Sequence, residues 1–253
     1  MQTGFAEILI GCMLPFLGTS LGAAVVYLGK KTVGETTKNC LSSFAAGIMT
    51  AASFWSLLKP AVDFAENRGC SKTIPCLTGF FCGIIFICVT DGIAKKCLLT
   101  NKSTNKLFTL AFSVTLHNVP EGMAVGAAMA GLLAGEGTVD LASAISLSIG
   151  IALQNIPEGA IISAPLFANG KSKNNAFLYG VLSGAVEPIG AVFTLCWASK
   201  IIPAMSFLLA FAAGAMIYAV FSELAPSKEE SKLGAICSCI GFALMMGLDI
   251  SLG

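Results

Sequence analysis

Residues 107–134, L-F-T-L-A-F-S-V-T-L-H-N-V-P-E-G-M-A-V-G-A-A-M-A-G-L-L-A, and residues 141–168, L-A-S-A-I-S-L-S-I-G-I-A-L-Q-N-I-P-E-G-A-I-I-S-A-P-L-F-A, decide the fold of this chain. A helix crosses the hydrocarbon core of a bilayer with about 20 mostly apolar residues, and each run is long enough to do so. Each is also interrupted near its middle by one polar motif, L-H-N-V-P-E-G at 116–122 and L-Q-N-I-P-E-G at 153–159. Two apolar runs that repeat the same acid, amide and proline at matched depth specify membrane helices with a shared interior.

The rest of the chain agrees. It has 253 residues, 55% hydrophobic and 11% charged, with a mean hydropathy of +0.82. A soluble domain carries about a quarter charged residues, so a water-exposed surface is excluded. A net charge of +1 gives no reason to invoke nucleic acid. Further apolar runs at roughly 5–28, 39–64, 74–94, 174–198, 203–225 and 232–253 bring the expected spans to eight. The connections are short and polar, so residues 1–253 read as a single all-α, polytopic membrane helix bundle. The first run lacks a basic n-region and an A-x-A site, and reads as a span rather than a signal peptide.

Positive residues orient the bundle. With the N-terminus outside, the odd-numbered connections hold Lys30, Lys31, Lys38, Lys95, Lys96, Lys102, Lys106, Lys171, Lys173, Lys228 and Lys232. The outer side holds only Lys59, Arg68, Lys72 and Lys200. The positive-inside rule therefore puts both termini outside. Most of the ten cysteines lie inside apolar runs, where thiols behave as small hydrophobes. Cys70 and Cys76, in an outer loop, are the one candidate disulfide. Gly18/Gly22, Gly79/Gly83, Gly122/Gly126, Gly131/Gly135 and Gly180/Gly184 have the spacing that lets helix backbones approach closely in lipid. They are read as packing positions, and such faces also admit a homodimer.

The polar residues in the spans carry the chemistry. Glu121, Glu158 and Glu187, the last in V-E-P-I-G, lie near the centres of three spans with no lysine or arginine at that depth. One ionised side chain there costs about 2.5–3.5 kcal/mol on insertion scales, so protons or imported cations must compensate three. His117 and Glu121 are i and i+4, on one helical face, as are Gln154 and Glu158. One imidazole nitrogen and several oxygens suit Zn²⁺ or a similar first-row divalent ion and disfavour Cu(I). Asn118, Asn155 and Glu187 offer a second, oxygen-rich position. Pro120 and Pro157 remove amide donors and are expected to kink their helices, freeing the carbonyls of Leu116 and Leu153. Loosened backbone at this depth lines a cavity or finds other partners, and paired interruptions point to a binding site at a repeat interface. His117 is the only histidine, so the H-E-x-x-H of an intramembrane metalloprotease is absent and an enzyme is not expected. A proton-coupled carrier of a small organic solute, with the carboxylates as relay, is the alternative.

At these residues the chain resembles the ZIP (zinc/iron permease-like) metal transporters, specifically their GufA-like branch. The resemblance covers the whole chain and includes F-A-A-G-I-M…L-L-K-P-A at 44–61, F-A-A-G-A-M-I-Y at 211–218 and the C-terminal M-M-G-L-D. It implies zinc uptake into the cytoplasm through a binuclear site, with Cd²⁺, Mn²⁺ or Fe²⁺ as further substrates. One ion would be held by His117, Glu121, Gln154 and Glu158. The other would be held by Asn118, Asn155 and Glu187, with Glu121 and Glu158 bridging. Met49, Ser56, Asp63 and Asp249 match outer-cavity positions that guide ions inward; Asp91 and Glu223 look like release-side ligands. Spans one, four, five and six would slide against the other four. Two departures stand out. The loop after span three, KKCLLTNKSTNK, lacks the histidines many members carry, and Gln154 replaces a second histidine, which weakens the nitrogen contribution to zinc selectivity. The expected setting is the plasma or inner membrane.

Overall fold

The computed structural model describes residues 4–28, 34–67, 73–98, 104–134, 140–224 and 231–252, and every regular element among them is a helix. In chain order these are α1 (Phe5–Ala23), continued by a 3-10 turn at Ala24–Leu28; α2 (Glu35–Ala52); α3 (Lys59–Asn67); α4 (Thr73–Leu98); α5 (Thr104–Ala134); α6 (Leu141–Ala168); α7 (Lys173–Gly184); α8 (Val186–Cys196); α9 (Ala198–Ile201); α10 (Met205–Ala219); and α11 (Ser231–Leu252). Cys70 lies outside the described residues, as do Lys30, Lys31, Arg68, Lys72, Lys102 and Lys228.

Seven segments are long and apolar enough to cross a membrane: Phe5–Leu28, Glu35–Glu66, Thr73–Ile93, Leu141–Ala168, Lys173–Cys196, Ile202–Ser222 and Lys232–Ser251. Helix α5, at 31 residues, is long enough, but His117, Asn118, Pro120 and Glu121 dilute its apolar run. Large hydrophobics such as Phe81, Ile85 and Val89 on α4 and Ile189 and Phe193 on α8 point outward. Alanines such as Ala45, Ala51, Ala127, Ala130, Ala210 and Ala213 fill the interior. That distribution suits lipid, where helices gain little from hiding large apolar groups and much from close backbone approach.

The irregularities fall elsewhere than the prolines alone suggest. Helices α5 and α6 stay helical through Pro120 and Pro157. The sixth expected span breaks at Ala185, two residues before Glu187. Pro188 lies beside this break and has no N–H for the carbonyl of Gly184 four residues back. Two π-helical stretches also interrupt the bundle, Ser53–Leu58 between α2 and α3 and Val220–Leu224 after α10. Such stretches widen the helix and recur at functional sites. At the α6–α7 turn, Gly170 takes φ +90°, a conformation that favours glycine.

Glycine contacts expose an internal repeat. A side chain on Gly122 would strike the carbonyl of Glu187, and one on Gly159 that of Thr19. Gly190 packs on Val119, as Gly22 does on Ile156. Gly47 packs on Ser238 and Gly214 on Phe80, while Gly241 meets Phe44 and Gly83 meets Phe211. These pairs interconvert when α1 is mapped onto α7–α8, α2 onto α10, α4 onto α11, and α5 onto α6. The two F-A-A-G motifs, at 44–47 and 211–214, occupy equivalent places, each followed at the same distance by a π-helical stretch. The dominant helix pairs obey the same mapping: α1 on α6 matches α8 on α5, and α2 on α11 matches α10 on α4. Most of the small-residue faces are therefore spent on contacts inside the chain.

Candidate functional site

The repeat brings the two polar motifs together at its centre. Gln154, on α6, donates from Nε2 to Glu121 Oε1 on α5 at 2.7 Å. Asn118 donates from Nδ2 to Glu187 Oε1 at 2.9 Å and to the Ser183 carbonyl at 3.2 Å. Its counterpart Asn155 donates to the Pro15 carbonyl at 3.4 Å, the equivalent place on α1. Thr19, also on α1, donates its hydroxyl to Glu187 Oε1 at 2.8 Å. His117 Nε2 lies 3.4 Å from Asp91 Oδ1 on α4. Every member of this group is buried, and Asn118, Gln154, Asn155 and Glu187 are sealed from solvent.

These bonds fix which end of each group faces the interior. With the amide nitrogens engaged by acceptors, the oxygens of Asn118, Gln154 and Asn155 are left over. Those three oxygens, together with Glu121 Oε2 and Glu187 Oε2, are buried and accept no hydrogen bond. A buried polar atom left without its partner costs about 1–3 kcal/mol. Five such acceptors on α5, α6 and α8 leave this polar core with acceptors in excess of donors. What the group lacks is positive charge. Helices α1, α6 and α8 contain no lysine or arginine, and those of α5 are limited to Lys106 in its first turn. Among the described residues no three His, Cys, Asp or Glu side chains converge closely enough to hold a metal by themselves, so the amide oxygens matter.

A second polar group sits where the Ser53–Leu58 stretch and the start of α3 meet the C-terminal end of α11. Ser56 donates to both Asp249 oxygens, at 2.9 and 3.0 Å, and Ser146 donates to Oδ1 at 3.2 Å. Ser56 and Asp249 line a cavity of about 310 Å³ together with Lys59, Asp63 and Ser143. Of the outer-cavity residues expected from sequence, Ser56, Asp63 and Asp249 therefore meet. Met49 does not line this cavity; it is packed in the apolar core. Asp91 stands beside His117 rather than apart from the centre. The side chain of Glu223 lies outside the described residues. Sequence reasoning missed Thr19, Ser146 and Lys59. The signal for Thr19 was present in G-T-S-L-G at 18–22, which the repeat lays on V-E-P-I-G at 186–190.

A helical bundle with lipid-facing apolar residues around a sealed nest of carboxylates and amide oxygens defines an integral membrane protein built to receive a cation. Residues 98–249 match the family described as ZIP Zinc transporter. The chain is 31% identical to the human protein named Zinc transporter ZIP11, covering 98% of this chain and 97% of that one. It is 31% identical to Zinc transporter ZIPB of Bordetella bronchiseptica, over 100% of this chain and 83% of that one. With Zinc transporter GufA of Myxococcus xanthus the identity is 32%, over 97% and 98% of the two chains. The chain belongs to the ZIP family, whose members are transporters and not enzymes.

Proposed function

We propose that this protein carries divalent metal ions, zinc foremost, across a membrane into the cytoplasm. The reading rests on the five buried acceptor oxygens that have no donor. Bound cations would satisfy these oxygens and offset the carboxylates beside them. His117, Glu121, Gln154 and Glu158 hold one ion. Asn118, Asn155 and Glu187 hold a second, with Glu121 and Glu158 between the two. All donors come from one chain, so a second copy is not needed to complete the site. Mixed nitrogen and oxygen donors suit Zn²⁺ and admit Cd²⁺, Mn²⁺ and Fe²⁺. The proton-coupled organic-solute carrier is not favoured, since the relatives are named as zinc transporters.

The chain crosses the membrane eight times with both termini outside. Successive glycine contacts on α5 at Gly122 and Gly126 meet Glu187 and Ala191 in the same order along α8. Helix α5 thus runs parallel to a segment that is long and apolar enough to cross. With eight crossings the two halves have opposite topology, the arrangement from which alternating access follows. The packing supports sliding of two four-span sets. Backbone-to-backbone glycine contacts join α1 with α6 and α5 with α8, or α2 with α11 and α4 with α10. A glycine contact between the sets, Gly150 on Met245, meets a flexible thioether side chain instead of backbone.

The test is radioactive zinc uptake into proteoliposomes, wild type beside Glu121→Ala/Glu158→Ala, with unlabelled Mn²⁺, Fe²⁺ and Cd²⁺ as competitors. Saturable uptake lost in the double variant is the expected result. Folded wild-type protein giving no uptake above empty liposomes would sink the reading.

A further inference from the structure

Thr19 has no place in the metal-ligand set proposed above, yet it is completely buried at the centre of the repeat. Its backbone is fixed on one side by Gly159, whose missing side chain would strike the Thr19 carbonyl. On another side its side chain fills the space left by Gly184. The hydroxyl can therefore aim in few directions. It donates to Glu187 Oε1 at 2.8 Å and also lies 3.4 Å from the Pro15 carbonyl of its own helix.

The repeat gives this bond its meaning. Thr19 and Glu187 are equivalent positions, so the pseudo-symmetric site has a carboxylate at one corner and a hydroxyl at the other. The hydroxyl and Asn118 Nδ2 both bind the same Glu187 oxygen, at 2.8 and 2.9 Å. Oxygen Oε2 is left with no hydrogen bond. Two donors on one carboxylate oxygen hold the plane of the group as well as its charge. With the Thr19 donor gone, one of the two anchors on Oε1 is lost and Glu187 could turn about its last torsion, which is broad and roughly two-fold.

We propose that Thr19 is the positioning residue of Glu187, holding Oε1 so that Oε2 is presented to the second metal position. Thr19 does not touch the ion. It sets the affinity of that position through the orientation of Glu187 and leaves the His117 position nearly unchanged. The inference rests on the two-ion reading above, and the variants below separate its failure from the failure of that reading.

The experiment is equilibrium binding of Cd²⁺ to purified protein in detergent, scoring stoichiometry and the two affinities separately. The wild type is compared with Thr19→Val, Thr19→Ala, Thr19→Ser, Glu187→Gln and Glu121→Ala/Glu158→Ala. Thr19→Val keeps the shape and removes the donor; Thr19→Ala removes it without added bulk and serves if the valine variant does not fold. The second position lacks the imidazole nitrogen of the first and is the weaker of the two for Cd²⁺. Loss of one hydrogen bond to a charged group is worth roughly 1.5–3 kcal/mol, so this weaker affinity should fall by about 10- to 100-fold in Val and Ala. Thr19→Ser should restore it, and the tighter affinity should move by less than about threefold. The expected pattern places Val and Ala alongside Glu187→Gln in the weaker affinity. Unchanged weaker affinity in both hydroxyl-free variants, while Glu121→Ala/Glu158→Ala still abolishes binding, would overturn the positioning role and leave the metal reading intact. Equal loss of both affinities in Val and Ala, without rescue by Ser, would also overturn it by showing a general packing defect. Wild-type protein that binds no Cd²⁺ would refute this inference together with the reading beneath it.

Discussion

Gln154 Nε2 donates to Glu121 Oε1 across the α5–α6 interface at 2.7 Å, joining the amide of one motif to the carboxylate of the other. The bond also fixes the amide's sense, since a carboxylate oxygen accepts only from the nitrogen end. In the proposed site Gln154 would thus offer oxygen where His117, its counterpart on α5, would offer nitrogen. Exchanging that oxygen for an imidazole should move the site toward zinc. We expect Gln154→His to retain transport and raise the zinc-to-manganese selectivity about tenfold, roughly 1.4 kcal/mol. Competition of cold Mn²⁺ against labelled zinc reads this directly, and an unchanged ratio would show that Gln154 does not touch the ion.

Binding an ion should stabilise the fold, because only the folded chain assembles the cluster. Ligand at 100 times its dissociation constant contributes about 2.7 kcal/mol. A rise of several degrees in the melting temperature with added Zn²⁺ is therefore expected for the wild type. The shift should vanish in Glu121→Ala/Glu158→Ala and should reverse when chelator is added to the wild type. An identical shift in the double variant would locate the binding elsewhere.

Protons compete with metal for imidazole and carboxylates. A saturable uptake rate at fixed zinc should therefore fall as pH is lowered from neutral toward 5. The sign is the discriminating feature: a rise over the same interval would point to uptake driven by protons. The measurement uses proteoliposomes clamped to equal pH on both faces, so that no gradient contributes.

The cavity at Asp249 carries mixed charge, with Asp63 and Asp249 facing the same space as Lys59. An incoming cation is attracted by the first two and repelled by the third. Asp249→Asn should raise KM about three- to tenfold with a smaller change in kcat, and Lys59→Gln should lower KM. Both effects should shrink between 0.01 and 0.5 M salt, since the Debye length falls from about 30 Å to well below 10 Å. KM values that ignore Lys59 at low salt would remove it from the ion's path.

Much of the fold could be read directly from hydropathy. The expected spans 5–28 and 141–168 coincide with Phe5–Leu28 and Leu141–Ala168, and others differ by a few residues at their ends. Both polar motifs were legible because a carboxylate and an amide beside a proline stand out in an apolar run. What was hidden depends on contacts between distant helices. Thr19 looks like any small polar residue until α1 is laid on α8. The π-helical stretches leave no composition signal, and Lys59 reads as a boundary residue until the cavity around it is seen. The break at Ala185 lies beside Pro188, which strips Gly184 of its partner. The same rule applies at Pro120 and Pro157, where the helices run on, so local rules alone do not say which proline marks a break.

Asp249 and Asp91 are equivalent under the repeat, each eight residues beyond a glycine that packs on Phe44 or Phe211. Each also reaches from one four-helix set to the other, Asp249 to Ser146 on α6 and Asp91 to His117 on α5. Sliding of the sets must exchange these contacts, so tethering the sets at either end should stop transport. Ser56 and Ser146 belong to opposite sets and bind the same Asp249 oxygen, at 2.9 and 3.2 Å. In a background freed of native cysteines, Ser56→Cys/Ser146→Cys joined by a short bifunctional thiol reagent should lose most uptake and recover it on cleavage. Ser43→Cys/Ser238→Cys is the control, because Ser238 donates to the Ser43 carbonyl at 2.8 Å within a single set. That tether should leave uptake nearly unchanged. Full transport with the Ser56–Ser146 tether closed would show that ions pass without relative motion of the two sets, and would replace alternating access by a fixed, selective pore.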